Sequence, residues 1–152
     1  MFAGVGAEFV LLEERVTLDL VGEKRRLQAA ERPVQLVECH PLLRQDELRA
    51  HAREHDYHLV AYMPLAKGDV TEVPELREVA EKHDATPAQV ALAWLLEKET
   101  VAAIPKSATP SHIRENYGAL DVALDAEDVE RIDGIDREKR YVDFEAAPWN
   151  RA

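Results

Sequence analysis

A lysine and a serine precede a predicted helix start in this sequence and could bind an anion. Lys106 and Ser107 are followed by Thr109 and Pro110, and a threonine before a proline is typical of a helix cap and the first residue inside the helix. An ammonium group, a hydroxyl group and the free backbone N–H groups of a helix start can together bind a phosphate. The alternative is a solvent-exposed helix cap without a ligand.

A second stretch places two histidines and a glutamate on one predicted helix. His51, Glu54 and His55 fit the spacing H-x-x-E-H, in which histidines four residues apart share a helix face. Such a pair could ligate zinc, with Glu54 as the base. An exposed helix face in an acidic protein explains the same residues. We favour that interpretation and assign no metal ligand.

From residue 34 onward, short apolar runs alternate with helical patterns. Strands are predicted at residues 34–38, 58–62 and 101–104. Helices are predicted at residues 45–55, 74–83, 87 to about 98, 110 to about 117, and directly after Asp125. Strands separated by helices of this length predict βαβ units on a parallel sheet. Three strands are too few for a closed eight-stranded barrel, which takes about 250 residues.

Three of these helices have predicted caps, at Thr86, Thr109 and Asp125. The helix after Thr86 is expected to bury Val90, Trp94 and Leu95, with Leu92 and Leu96 widening its apolar face. The helix after Asp125 is expected to turn Val129 and Ile132 inward. The spacing of three and four residues between apolar positions carries these expectations.

Residues 1–33 do not continue the alternating pattern. Val16, Leu18 and Leu20 alternate as in a strand, whereas Phe9, Leu12, Val16 and Leu20 also fit a helix face, and both interpretations stay open. The charge changes at the same place. Residues 1–33 hold six acidic and five basic residues, against 24 and 14 in residues 34–152.

The overall composition narrows the class of protein. The chain is 46% hydrophobic, which excludes wholesale disorder. Its net charge of −11 argues against general binding to nucleic acids, because the phosphate backbone would be repelled. No run approaches the roughly 20 apolar residues of a membrane span. No basic segment precedes the apolar residues 9–12, and Cys39 is the only cysteine, so we expect a cytoplasmic protein without a signal peptide. The acidic, lysine-poor surface suits either concentrated salt or an ordinary cytosol.

Five runs, in this order and spacing, resemble the C-terminal part of the aldo/keto reductases. This family consists of (β/α)₈ barrels that reduce carbonyls with a nicotinamide cofactor. The runs are V-E-C-H-P (37–41), V-A-Y-M-P-L (60–65), T-P-A-Q-V-A-L (86–92), I-P-K-S (104–107) and E-N (115–116). The resemblance covers residues 34 to about 150. It implies an α/β fold that is a partial (β/α)₈ TIM barrel, with strands six to eight and their helices in residues 34–152, and an unmatched segment in residues 1–33.

The resemblance also implies a nucleotide site, because barrel sites form at the carboxyl ends of the strands. Tyr62 would stack on the nicotinamide, and Leu65 with the backbone after it would lie along the pyrophosphate. Lys106 and Ser107 would read the 2′-phosphate of NADP. The remaining contacts, to the adenine, would come from Glu115 and Asn116. The implied cofactor is NADP(H) or NAD(H), and the implied partner is a carbonyl substrate.

Three positions depart from the family pattern. Leu36 stands where the family has a glutamine that holds the nicotinamide carboxamide, and Met63 stands where a serine is common. His112 stands where an arginine often clamps the 2′-phosphate. A neutral histidine donates one hydrogen bond instead of a bidentate pair, so NADH remains an alternative to NADPH.

The catalytic residues of the family have no counterpart in this sequence. Their Asp, Tyr, Lys and His come from the first half of the barrel, and residues 1–33 contain neither Tyr nor His. We therefore assign no catalytic residue and expect a truncated reductase, joined to a foreign N-terminus, that is inactive alone. The alternative is a non-catalytic remnant that associates with itself or with a complementary fragment through open sheet edges. The substrate is not readable, and Trp149 offers only one wall of a pocket.

Overall fold

The structure, a computed structural model, describes residues 33–143. Their strands are β1 (Val34–Glu38), β2 (His58–Tyr62) and β3 (Val101–Ala103). Their α-helices are α1 (Asp46–Glu54), α2 (Pro74–Lys82), α3 (Pro87–Leu96), α4 (Pro110–Tyr117) and α5 (Ala126–Asp133). Two 3₁₀ segments, Ala66–Glu72 and Gly118–Asp121, complete the described elements. The alternatives for residues 9–20 and the expectation for Trp149 lie outside the described residues.

The three described strands form one parallel sheet in the order β1-β2-β3. Leu36 pairs with Val60, and Val60 pairs with Ala102, so one row of side chains crosses the sheet. The chain passes from β1 to β2 through α1, and from β2 to β3 through α2 and α3. The predicted βαβ arrangement and parallel sheet are therefore confirmed. Helices are required here because parallel strands need a long crossover.

The core lies between one face of this sheet and the helices that connect its strands. Leu59 and Ala61 of β2 are fully buried on that face, together with Leu76 of α2 and Trp94 of α3. Each large apolar side chain buried in this way contributes about 1.5–3 kcal/mol. Helix α3 is the most deeply placed, with the run from Val90 to Leu95 buried on every side. The prediction for Leu96 is wrong: it is 45% exposed, because α3 ends there.

Two of the three predicted helix caps are made by their own side chains. Thr86 and Asp125 each form a capping box, in which the side chain accepts the N–H of the third helical residue and that residue's side chain accepts the cap's N–H. Ile132 of α5 is fully buried and Val129 packs against the core, as predicted. Thr109 occupies the cap position of α4, but its hydroxyl makes no capping hydrogen bond. The predicted cap position and the helix start at Pro110 are confirmed.

A buried carboxylate joins α5 to the end of α2. Asp128 is 2% exposed, and it accepts hydrogen bonds from Lys82 Nζ at 2.8 Å and from His83 Nε2 at 2.6 Å. Burial alone would raise the pKa of Asp128, but these two donors and the Asp125 N–H outweigh it and hold the pKa well below its ordinary value. The charged form is therefore the one that fixes α5 against α2.

Candidate functional site

The carboxyl ends of the three strands lie at one edge of the sheet. Glu38, the last residue of β1, pairs in register with Tyr62, the last residue of β2. The N–H of Ile104 donates to the Ala61 carbonyl at 3.1 Å, which continues the pairing one residue beyond β3. Tyr62 and the residues just after Ile104 therefore lie at neighbouring strand ends. This is the edge at which ligands bind in parallel α/β sheets.

Tyr62 lies on the sheet face opposite the packed core. Its neighbours Leu59 and Ala61 point to the buried face, and strand alternation turns Val60 and Tyr62 to the other one. The side chain is half-buried. Burial raises the pKa of its hydroxyl, and the charge of nearby Glu38 raises it further, so the phenol is neutral at pH 7. A neutral aromatic ring at a strand end can serve as a stacking surface.

The chain after β2 turns sharply through left-handed backbone. Met63, Ala66 and Lys67 have φ of 52°, 49° and 56°, and Gly68 has φ of 101°. Side chains disfavour this region by about 1 kcal/mol per residue, and such strain collects at functional loops. Leu65, between them, is half-buried and packs against the core. The sequence reasoning missed the 3₁₀ segment Ala66–Glu72 that follows.

Lys106 and Ser107 lie between β3 and α4, as their motif predicts. The Lys106 side chain is exposed. Ser107 Oγ accepts the Thr109 N–H at 3.1 Å, so the serine hydroxyl satisfies a backbone donor at the start of α4. The ammonium, the hydroxyl and the first turn of α4 are thus neighbours along the chain.

Helix α4 carries the other three candidate residues. His112 is exposed in its first turn, and Glu115 and Asn116 are half-buried near its end. Gln89 of α3 holds that end, because its Nε2 donates to the Glu115 carbonyl at 3.0 Å. The same side chain completes the Thr86 capping box. The sequence pattern T-x-x-Q indicates the capping box, but no local pattern indicates the hydrogen bond from Gln89 to the Glu115 carbonyl.

The sequence profile described as the aldo/keto reductase family matches residues 31–137. The chain belongs to the aldo/keto reductase family. The five runs that suggested this resemblance all fall inside the matched range. This confirms the family inferred from the sequence.

A curated relative matches this aldo/keto reductase over part of its own length. Aldo-keto reductase family 1 member A1 of Cricetulus griseus is 37% identical over 125 residues, which cover 75% of this chain and 38% of the relative. The chain therefore spans a little over a third of the length of the curated relatives it matches.

Solved structures place the fold among the TIM-barrel reductases. The crystal structure of Gox0644 in its apo form is 35% identical, with a TM-score of 0.68 over 72% of this chain and 41% of that one. A mutant of Gox0644 in complex with NADPH is 33% identical, with a TM-score of 0.64 over 71% and 41% of the two chains. The small parallel sheet of this aldo/keto reductase is consistent with part of such a barrel.

Helix α1 of this aldo/keto reductase carries the H-x-x-E-H spacing. His51 Nδ1 is hydrogen-bonded to the Tyr57 hydroxyl at 3.0 Å, and the rings of His51 and His55 lie 4.1 Å apart. Within residues 33–143, no group of three or more His, Cys, Asp or Glu side chains is arranged to hold a metal ion. No helix in that same range is long and apolar enough to cross a membrane.

Sequence reasoning missed a buried polar pair at the end of β1. Glu38 and His40 are 1% and 0% exposed, and His40 Nε2 donates to Glu38 Oε1 at 3.1 Å. Burial raises the pKa of Glu38, but two backbone N–H donors and His40 outweigh it and hold the pKa below its ordinary value. The V-E-C-H-P run holds both residues, and their spacing of two residues puts them on one side of an extended chain.

Proposed function

We propose that the carboxyl edge of this sheet binds a nicotinamide dinucleotide. Tyr62 stacks on the nicotinamide ring, and Leu65 with the turn after it lies along the pyrophosphate. The position of Tyr62 at a strand end, on the face turned away from the core, supports the first role. The left-handed turn that follows supports the second, because its backbone is held in a conformation that packing must maintain.

The phosphate and adenine contacts follow from the adjacent strand end. Lys106 supplies a positive charge and Ser107 a hydroxyl, just before the N–H groups of α4. His112, in the first turn of α4, adds one hydrogen bond to a 2′-phosphate, and Glu115 and Asn116 contact the adenine. The observation that carries this proposal is that Tyr62 ends one strand and Lys106 follows the end of the neighbouring parallel strand. A related solved structure is a complex with NADPH, which supports the choice of ligand.

We also propose which barrel strands the chain contains and where in the cell it is located. Residues 34–152 correspond to strands six to eight of the barrel with their helices, and residues 1–33 are assigned to no barrel element. The acidic composition and the single cysteine support a cytoplasmic location. Either NADP(H) or NAD(H) fits the residues, since His112 stands where the family often has an arginine that clamps the 2′-phosphate.

The reaction to which this site belongs is the reduction of an aldehyde or ketone to an alcohol. A bound dihydronicotinamide supplies the hydride to the carbonyl carbon, and a general acid must supply the proton to the oxygen. Among the described tyrosines, the Tyr57 hydroxyl is hydrogen-bonded to His51 and the Tyr141 hydroxyl is hydrogen-bonded to Asp69. We infer that the 152-residue chain binds the nucleotide but reduces no carbonyl alone. NADPH oxidation above the blank with a reactive aldehyde would contradict this.

The test of nucleotide binding is a fluorescence titration of the purified chain with NADPH and NADH. We expect saturable binding with a Kd near 10 μM, about −7 kcal/mol. Lys106→Gln should weaken NADPH binding about tenfold, because one phosphate contact is lost. Arg53→Gln removes an exposed positive charge from α1 and should leave the Kd unchanged. The absence of saturable binding for both nucleotides, in dilute buffer and in molar salt, would contradict the proposal.

The second candidate function is a self-associating, non-catalytic protein. Within residues 33–143, β1 has a pairing partner on one side only, and Val34 and Leu36 are 53% and 61% exposed. An unpaired strand edge beside apolar side chains favours association. Analytical ultracentrifugation should then show oligomers that Leu36→Lys dissociates. A monomer at high concentration with a sharp melting transition would contradict this candidate.

A further inference from the structure

Four residues near the end of the described chain, 139–142, form a strap that contacts two parts of the site. The N–H groups of Tyr141 and Val142 donate to the two carboxylate oxygens of Glu38, at 2.7 and 2.8 Å. The Lys139 N–H donates to the Leu42 carbonyl at 2.8 Å. The backbone of the strap is therefore fixed to the end of β1 and the loop after it.

The side chains of the strap reach the other part of the site, the 3₁₀ segment Ala66–Glu72. The Tyr141 hydroxyl and Lys139 Nζ both donate to Asp69 Oδ2. Lys67 Nζ lies 5.6 Å from the centre of the Tyr141 ring, within reach of a cation–π contact. Two residues of the 3₁₀ segment, Lys67 and Asp69, thus contact Tyr141.

His40 contacts the Glu38 end of the strap and has a single protonation state there. Its Nε2–H donates to Glu38, and its ring meets that of Tyr141 edge to face with centres 5.5 Å apart. The other ring nitrogen, Nδ1, is buried and has no hydrogen-bond partner among the described residues. Protonation there would bury an unpaired donor, so His40 stays neutral. The neutral ring therefore stabilises the Glu38 carboxylate together with the two strap N–H groups.

We propose that Glu38 acts through the strap as a positioning residue for the nucleotide. Glu38 holds Tyr141, Tyr141 and Lys139 hold Asp69, and Asp69 fixes the segment along which the pyrophosphate lies. This inference rests on the proposed nucleotide site. None of these residues needs to touch the ligand.

The charged side chains of the strap also affect the electrostatics near the proposed pyrophosphate position. The Asp69 carboxylate would repel a pyrophosphate beside the same segment. Lys139 pairs with Asp69, and Lys67 lies close enough to lower the pKa of that carboxyl further. Lys67, Lys139 and Arg140 outnumber Asp69 and Glu72, so the segment and the strap together carry a formal charge of +1. Loss of the strap would therefore remove both the anchor and part of this charge.

The test combines hydrogen exchange with nucleotide binding in two variants. Tyr141→Phe keeps the ring and the backbone contacts but removes the hydroxyl from Asp69, and Glu38→Gln replaces one strap acceptor by a donor. In both we expect amides of the segment Ala66–Glu72 to exchange at least tenfold faster, and NADPH to bind three- to tenfold more weakly. If Glu38→Gln does not fold, Tyr141→Phe alone decides.

Asp128→Asn is the matched control, because it alters a buried, hydrogen-bonded carboxylate between α2 and α5. It should leave the exchange of Ala66–Glu72 and the Kd unchanged. Unchanged amide exchange of Ala66–Glu72 in Tyr141→Phe, or an equal increase in the control, would overturn the proposal that the strap anchors this segment. Faster exchange with an unchanged Kd would overturn its positioning role. A wild-type chain that binds neither nucleotide would overturn the proposed function as well, which separates the two failures.

Discussion

Gln89 and Gly118 approach each other so closely that no side chain fits between them. A Cβ added at Gly118 would lie 2.5 Å from Gln89 Nε2, well inside van der Waals contact. The same Nε2 donates to the Glu115 carbonyl at the end of α4. The absence of a side chain at position 118 thus allows α3 to hold the helix that carries the proposed adenine contacts.

Gly118→Ala should therefore displace the Gln89 amide and break its bond to Glu115. We expect a loss of about 1–2 kcal/mol in the free energy of unfolding, measured by urea denaturation. The control is the double variant with Gln89→Ala, in which the clash is absent. If Gly118→Ala costs as much in the Gln89→Ala background as in the wild type, the two residues are not coupled and the explanation is wrong.

His112→Arg should shift the nucleotide preference. A guanidinium group can hold a 2′-phosphate through two hydrogen bonds, so NADPH should bind about tenfold more tightly while NADH is unchanged. Fluorescence titration with both nucleotides measures the ratio. Ser111→Arg adds the same charge one residue earlier in α4 and should change the ratio less. Equal tightening of NADPH and NADH in His112→Arg would contradict a contact to the 2′-phosphate.

Mild acid should destabilise the chain through His40. Burial lowers the pKa of His40 below its ordinary value of 6.5 and outweighs the opposite effect of the hydrogen bond to Glu38. The unfolded chain then takes up a proton near pH 6.5 that the folded chain does not, so stability falls as pH decreases below that value. Thermal melts between pH 7.5 and 5.5 measure the decrease.

His40→Gln is the control for this pH dependence, because glutamine can donate to Glu38 but does not titrate. The melting temperature of the wild type should fall more steeply than that of His40→Gln as pH decreases from 7.5 to 5.5. Parallel curves would show that His40 contributes nothing. Below pH 4.5 a further loss is expected in both proteins, since the pKa of Glu38 is lower in the fold than its ordinary 4.5.

Asp128→Ala should loosen α5 from α2. The substitution removes a charge-assisted bond from Lys82, one from His83 and half of the Asp125 capping box. We expect a loss of about 2–3 kcal/mol in the free energy of unfolding. Glu127→Ala changes the adjacent, exposed acidic residue and should cost under about 0.5 kcal/mol. Equal losses in the two variants would contradict a special role for Asp128.

Local patterns in the sequence predict much of this fold. Thr86 and Asp125 are recognisable as caps because each is followed three residues later by a side chain that completes the box. The strands at Val34–Glu38 and His58–Tyr62 were predicted with the bounds they have in the structure, since apolar runs end there at polar residues or proline. Such signals act over a few residues, so a single sequence contains them.

Contacts between distant residues explain what the sequence does not predict. Glu38 meets strap N–H groups more than 100 residues away, and nothing near Glu38 indicates them. The second bond of Gln89 and the kink at Lys67 depend on packing in the same way. The nucleotide roles of Tyr62 and Lys106 came from family resemblance, and geometry adds only that both lie at the carboxyl ends of neighbouring strands.

The most direct test of the central claim is calorimetric titration of NADPH and NADH into the purified chain and into its Tyr62→Leu variant. We expect saturable heat with a micromolar Kd for at least one nucleotide in the wild type. Binding should be about tenfold weaker in the variant, because a stacking contact of about 1 kcal/mol or more is lost. No saturable heat with either nucleotide in the wild type, or equal affinity in the two proteins, would contradict a nicotinamide site at Tyr62.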